Sequence, residues 1–192
     1  MLALRPETLA DRAAIAGVHS ASFPTPLEAR LVDALRASRD EALAVVRALP
    51  PARLEEGRYE NGWNGRQILA HVASIEWSYP RLIDIARSAG PDQPATRTAG
   101  DPPTRAMRGG NDSYNDRQVA KRAHLSPAEL LAEFEANRAA TIAAVEAADE
   151  PLFARPIRSA GGIVGPLATV FHQVAVQHVR GHVRDIAGPG QA

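Results

Sequence analysis

The stretch 171-FHQVAVQHVRGHVRDI-186 sets His178 and His182 four residues apart, with His172 close by, in a chain that holds six histidines in all. Apolar residues run through it at helical spacing and Gly188 and Pro189 come after it. The segment from Leu167 to Ile186 is therefore expected as one helix that stops at a glycine. On such a helix His178 and His182 lie about 40° apart around the axis, with Cβ atoms roughly 5–6 Å apart. Two imidazoles so placed can converge on one ion at about 2.0–2.1 Å. Leu167, Phe171, Val174 and Asp185 share that face, so the pair is expected to look inward. His172 sits about 120° from His178 and about 80° from His182 and is read as an exposed or capping residue.

What faces this segment depends on the rest of the chain. Its 192 residues suffice for one well-filled core and are short for two domains. It is 45% hydrophobic but only 5% aromatic. Alanine and leucine carry most of the apolar content, which favours packed helices over strands. Basic and acidic residues balance at 22 each, so no nucleic-acid partner is indicated. There is no cysteine, which excludes disulfides, thiolate metal sites and a cysteine nucleophile. No signal peptide and no long apolar run stands out, so no membrane span is expected and a cytoplasmic location is.

Periodicity predicts four long helices. In the first, Leu27, Leu31, Leu35, Ala42, Val45, Val46 and Leu49 form one stripe, stopped by Pro50 and Pro51. The second opens at Asn64, with Gln67 completing a capping box, and extends to Ser88, Pro80 either kinking it or starting a fresh turn. Residues 90–110 read as a loop, followed by a short helix around 115–122. The third long helix has Ser126 as N-cap, Pro127 at its first position and Glu129 at N3. Pro166 opens the fourth, and no strand alternation is found between these elements. The expected class is all-α, a four-helix bundle over residues 26–188 preceded by a short extension.

The second helix supplies a candidate partner for the histidine pair. His71 sits about two turns in, with Ile68, Ile75 and Ser78 on its side. Alone, an inward histidine is most simply a hydrogen-bonded core residue, and an H-x-x-x-H spacing on a helix is common by chance. Both together on matching inward faces leave a shared ion and separate packing roles as evenly matched readings.

The arrangement 63-WNGRQILAH-71 on the second helix and 178-HVRGH-182 on the fourth resembles the DinB/YfiT-like superfamily, and the likeness covers about residues 27–187. That superfamily includes bacillithiol transferases and mycothiol-dependent maleylpyruvate isomerases. The resemblance implies an up-down-down-up bundle carrying a divalent ion, Zn²⁺ or Ni²⁺, on His71, His178 and His182. It further implies a thiol S-transferase or thiol-dependent isomerase whose partners are a small-molecule thiol, such as mycothiol or bacillithiol, and an electrophilic substrate. A homodimer is compatible with it. The alternative is a non-catalytic metal-binding or stress-response interaction protein.

Other residues carry weaker signals. Asp185 or Glu135 could receive the free N–H of a ligand imidazole. Tyr114, Asn115 and Arg138 are candidates for reaching a substrate, each with bundle packing or surface solvation as the plain alternative. Trp63 reads as a core plug over the start of the second helix. Residues 1–25 resemble the opening strand and helix of a GNAT acetyltransferase. The nearest match to that family's pyrophosphate loop, 158-RSAGGI-163, has isoleucine where glycine or alanine is required, so GGIVG is read as a turn leading into a helix.

Overall fold

The helix starts are set by local chemistry. Asn64 accepts from the Gln67 amide while the Gln67 side chain accepts from the Asn64 amide, each at 2.9 Å, and this box opens a helix at Gly65. Ser126 and Glu129 make the same reciprocal pair at the helix that begins with Pro127. Each box satisfies amides that a helix N-terminus leaves without intrahelical partners. The computed structural model describes residues 26–57, 62–88 and 110–188. The expected extension over residues 1–25, with its acetyltransferase likeness, and nearly all of the 90–110 loop lie outside these.

In chain order the elements are α1 (Pro26–Ala48), α2 (Pro51–Glu55), α3 (Gly65–Glu76), α4 (Pro80–Ser88), α5 (Gly110–Lys121) and α6 (Pro127–Glu146). A 3₁₀ turn at Glu150–Ala154 leads to β1 (Pro156–Arg158) and β2 (Val164–Pro166), then to α7 (Leu167–Phe171), a π-helical stretch (His172–Gln177) and α8 (His178–Ala187). Gly188 closes the last helix at φ 80°, where its amide bonds to the Arg184 carbonyl.

Four expectations are corrected. The second helix ends at Glu76 rather than Ser88, and of the two readings of Pro80 the fresh start is the one realised, as a separate helix to Ser88. The short helix begins at Gly110, five residues before Asn115. An antiparallel hairpin, with Ile157 opposite Gly165, occupies a region in which no strand was expected. Alternation over three residues is too short to show in sequence, but Ile157 is fully buried and anchors the hairpin to the core. GGIVG is therefore the hairpin's turn and second strand, and only Leu167 beyond it enters a helix.

The fourth correction concerns 167–187, which is helical throughout but not uniformly α. Leu167, Phe171, Ala175, Val179 and Val183 are all buried, at a strict spacing of four. In a regular α-helix that stripe would drift about 40° at each step and leave the core. The wider π turn accommodates an extra residue and rotates the later residues back by about 100°. Asp185, expected on the inward face, is consequently exposed.

The main packing runs in a ring: α1 lies against α6 and α8, and α3 lies against the same two. Two apolar clusters fill the ring. One holds Leu31 and Leu35 of α1, Tyr79 and Ile83, Ile142 and Val145 of α6, and Leu167 and Phe171. The other holds Ala42 and Val46 of α1, Ile68 and Val72 of α3, Leu130 and Phe134 of α6, and Val179 and Val183 of α8. Along the chain α1 passes from the first cluster to the second. The α3–α4 segment and α6 pass from the second to the first, and the 167–187 rod from the first to the second. Between the two clusters lies a buried polar layer made of Ser38, Glu76, Arg138 and Thr141.

Candidate metal centre

In the second cluster three histidine rings meet. His71 projects from the middle of α3, and His178 and His182 from the first turns of α8. Each offers a ring nitrogen, and the three lie within 4.8 Å of one another. The Nε2 atoms of His178 and His182 are 3.0 Å apart. The ring of His71 stands edge-on to both, with centroids 5.4 Å from His178 and 5.1 Å from His182. His71 and His182 are buried and His178 is half-buried. Among the described residues no other group of His, Asp or Glu side chains comes together in this way.

The electrostatics suit cation binding. Burial, with repulsion from His182 and His178 added, pushes the His71 pKa down to about 3. Burial and His182 push His178 down to about 4. Both rings are therefore neutral at pH 7 and present lone pairs. The Nδ1 atoms of His71 and His178 are buried without a hydrogen-bond partner, a costly arrangement in a folded protein. A tetrahedral ion bound at about 2.0–2.1 Å separates its ligand nitrogens by roughly 3.3 Å. The His178–His182 pair is already near that spacing, and the set needs only a small movement of His71. The three histidines thus fit a divalent ion.

The other residues singled out by the sequence differ in how near they come to this cluster. Trp63 is buried with its ring centroid 5.1 Å from that of His71, so it plugs the core and also covers a ring of the cluster. Asp185 Oδ2 lies 3.4 Å from His182 Nδ1, on the exposed side of α8. Glu135 does not approach the cluster: it is half-buried and pairs with Arg47 at 3.0 Å. His172 is exposed. Tyr114 and Asn115 are half-buried on α5.

Arg138 corrects its expectation most sharply. Its side chain is wholly buried and ion-paired with Glu76, with Nε–Oε1 at 2.8 Å and Nη2–Oε2 at 2.9 Å. It faces no solvent and so no substrate. Glu76 was missed altogether. Its signal was a glutamate following Leu69, Val72 and Ala73 on their own inward face. Burial pushes the Glu76 carboxyl up, while Arg138 pulls it back down.

A cleft of about 220 Å³ opens beside the cluster and shares Trp63 as a wall, with Arg66, Gln67 and Ala70 of α3 and Asp116, Val119 and Ala120 of α5. Its two arginines are already engaged, Arg66 by Glu55 and Arg122 by Glu133.

The family model of the DinB superfamily matches residues 34–186. No sequence among curated proteins matches the chain. Among solved structures, a mycothiol-dependent maleylpyruvate isomerase superposes with a TM-score of 0.63 at 18% identity, over 86% of this chain and 62% of that one. A histidine-to-alanine mutant of the same enzyme gives 0.62 at 18% identity, over 88% and 62%. At that identity the likeness is one of fold. The chain spans less than two thirds of the length of those structures.

Proposed function

Because the chain belongs to the DinB superfamily, we propose that His71, His178 and His182 bind one divalent metal ion, Zn²⁺ or Ni²⁺, and that the protein is a metal-dependent thiol transferase or thiol-dependent isomerase. The observation that carries this reading is the convergence of three imidazoles from two separate rods, two of them, His71 and His178, held neutral by burial. The order of the apolar clusters along the chain supports the up-down-down-up bundle, with residues 26–188 as its domain.

Bound there, the ion would act as a Lewis acid that lowers the pKa of a thiol toward the reactive thiolate. The chain's own residues prepare this chemistry. Burial keeps His71 and His178 unprotonated, Trp63 covers His71, and Asp185 stands near the outer nitrogen of His182 and helps orient that ring. The chain has no cysteine, so the thiol is supplied by a small molecule such as mycothiol or bacillithiol. We assign the cleft beside Trp63 to the body of that thiol or of its electrophilic acceptor.

Metal content is the first test. Protein purified without chelator should hold about one divalent ion per chain, and His178→Ala should lose most of it. Absence of stoichiometric metal by elemental analysis would overturn the reading. Mycothiol, bacillithiol and glutathione, each supplied with a panel of electrophiles, then separate enzyme from interaction module. Turnover with one thiol that disappears in His178→Ala identifies the enzyme.

A further inference from the structure

The buried polar layer lies outside the metal cluster and takes no part in binding the ion. Arg138 of α6 donates through Nη1 to the Leu35 carbonyl at 3.2 Å and to Ser38 Oγ at 2.9 Å, both on α1. Through Nη2 it donates to Glu76 at the end of α3 and, at 2.6 Å, to the Ala175 carbonyl. One guanidinium thus ties α6 to the other three rods of the bundle. Ala175 belongs to the π-helical stretch, as does Val174, whose carbonyl accepts from the Tyr79 hydroxyl at 2.5 Å. The His178 amide closes a bond to the Gln173 carbonyl, five residues back.

A π turn frees backbone carbonyls from the regular ladder, and it persists only where something else satisfies them. Here the partners are Arg138 and Tyr79. The turn also sets the rotation of everything after it, beginning with His178, three residues beyond Ala175. Were the π turn to relax to regular α-helix, His178 and His182 would swing by about 100° relative to α7. Glu76, the other end of the same ion pair, lies five residues from His71 on α3.

We propose that Arg138, with Glu76 and Tyr79, is a positioning device for the metal centre: it pins the π turn and so sets the angle and height at which the two histidines of α8 meet His71. The inference rests on the reading of the three histidines as a metal site. The layer touches neither ion nor substrate, so its members are positioning residues.

Two variants test it. Glu76→Leu with Arg138→Met removes both charges together and fills the space with apolar side chains, an exchange that buried ion pairs often tolerate. Tyr79→Phe removes one hydroxyl and keeps the ring. Co²⁺ is titrated into chelator-stripped protein, reading both Kd and the intensity of the visible d–d bands, which reports four-coordinate geometry. Amide exchange over residues 172–182 is measured without metal.

The expected result is folded protein whose Co²⁺ Kd rises about 10- to 100-fold, the range for groups that orient metal ligands. The d–d bands should weaken and residues 172–182 should exchange faster. Unchanged Kd and spectrum in a folded double variant would overturn the proposal, as would a loss of thermal stability with both unchanged. If the double variant does not fold, Tyr79→Phe decides, with the same criteria and an expected effect of several-fold. Failure of the wild-type protein to bind Co²⁺ would sink the metal reading itself. The exchange data would then still show whether the layer holds the π turn.

Discussion

Acid should weaken the metal-free protein in a defined window, because two of its histidines resist protonation in the fold. In the unfolded chain each imidazole titrates near 6.5, whereas in the fold His71 titrates near 3 and His178 near 4. Both folded values are depressed. As pH falls below 6.5 the unfolded state takes up protons that the native state refuses, and stability falls with pH until the folded values are reached. By pH 5 each histidine should cost about 2 kcal/mol relative to pH 7.5, at about 1.4 kcal/mol per pH unit, for about 4 kcal/mol together. That is a large part of the roughly 5–15 kcal/mol that holds a domain of ordinary stability. Glu76 works in the opposite direction, since its raised carboxyl binds a proton in the fold first. Comparison with His178→Gln cancels it. Urea unfolding of chelated protein, followed by far-ultraviolet circular dichroism at pH 7.5, 6.5, 5.5 and 5, gives the free energies. The wild-type drop should exceed that of His178→Gln by about 2 kcal/mol at pH 5. Equal drops in the two proteins would refute the reasoning, because they would show that His178 is as easily protonated inside the fold as outside it.

The same depressed values bear on metal binding. With ligand-free pKa values near 3 and 4, protons do not compete for His71 and His178, so Zn²⁺ affinity should fall between pH 7.5 and 5.5 with the slope of at most one proton, well short of the three that three ordinary imidazoles would release. A competition titration showing the steep loss below pH 6.5 typical of ordinary imidazoles would contradict this. Arg138→Ala alone strands the Glu76 carboxylate in the core and should cost about 3–5 kcal/mol in urea unfolding. Ser126→Ala removes one half of a capping box and should cost about 1 kcal/mol while leaving metal content unchanged.

Much of the helical framework could be read locally. The boxes at Asn64 and Ser126 act over three residues, so the residues that make them are adjacent in sequence. The four-residue spacing of His178 and His182 likewise sets two rings on neighbouring turns. Other features had a signal that a regular-helix reading obscured. The run Leu167, Phe171, Ala175, Val179, Val183 repeats every four residues, a period that an α-helix cannot keep against one core. Arg138 stands in the apolar series Leu131, Phe134, Arg138, Thr141, Val145, and its place in that stripe marks it as buried. Taken singly it reads as a solvent- or substrate-facing cation, because its partner sits 62 positions away.

The sequence by itself determined the helical class, the two capped starts, the glycine stop and the placing of His178 and His182 on neighbouring turns. Interactions between near neighbours, and the period of the apolar pattern, suffice for these. Only the tertiary structure decided that α3 and α8 bring the rings of His71, His178 and His182 within 4.8 Å, that a π turn sets the angle of α8, and that Arg138 closes the layer between the two cores. Those outcomes depend on how far the rods stand apart and how each is rotated, and rotation is fixed by the packing of all four against one another.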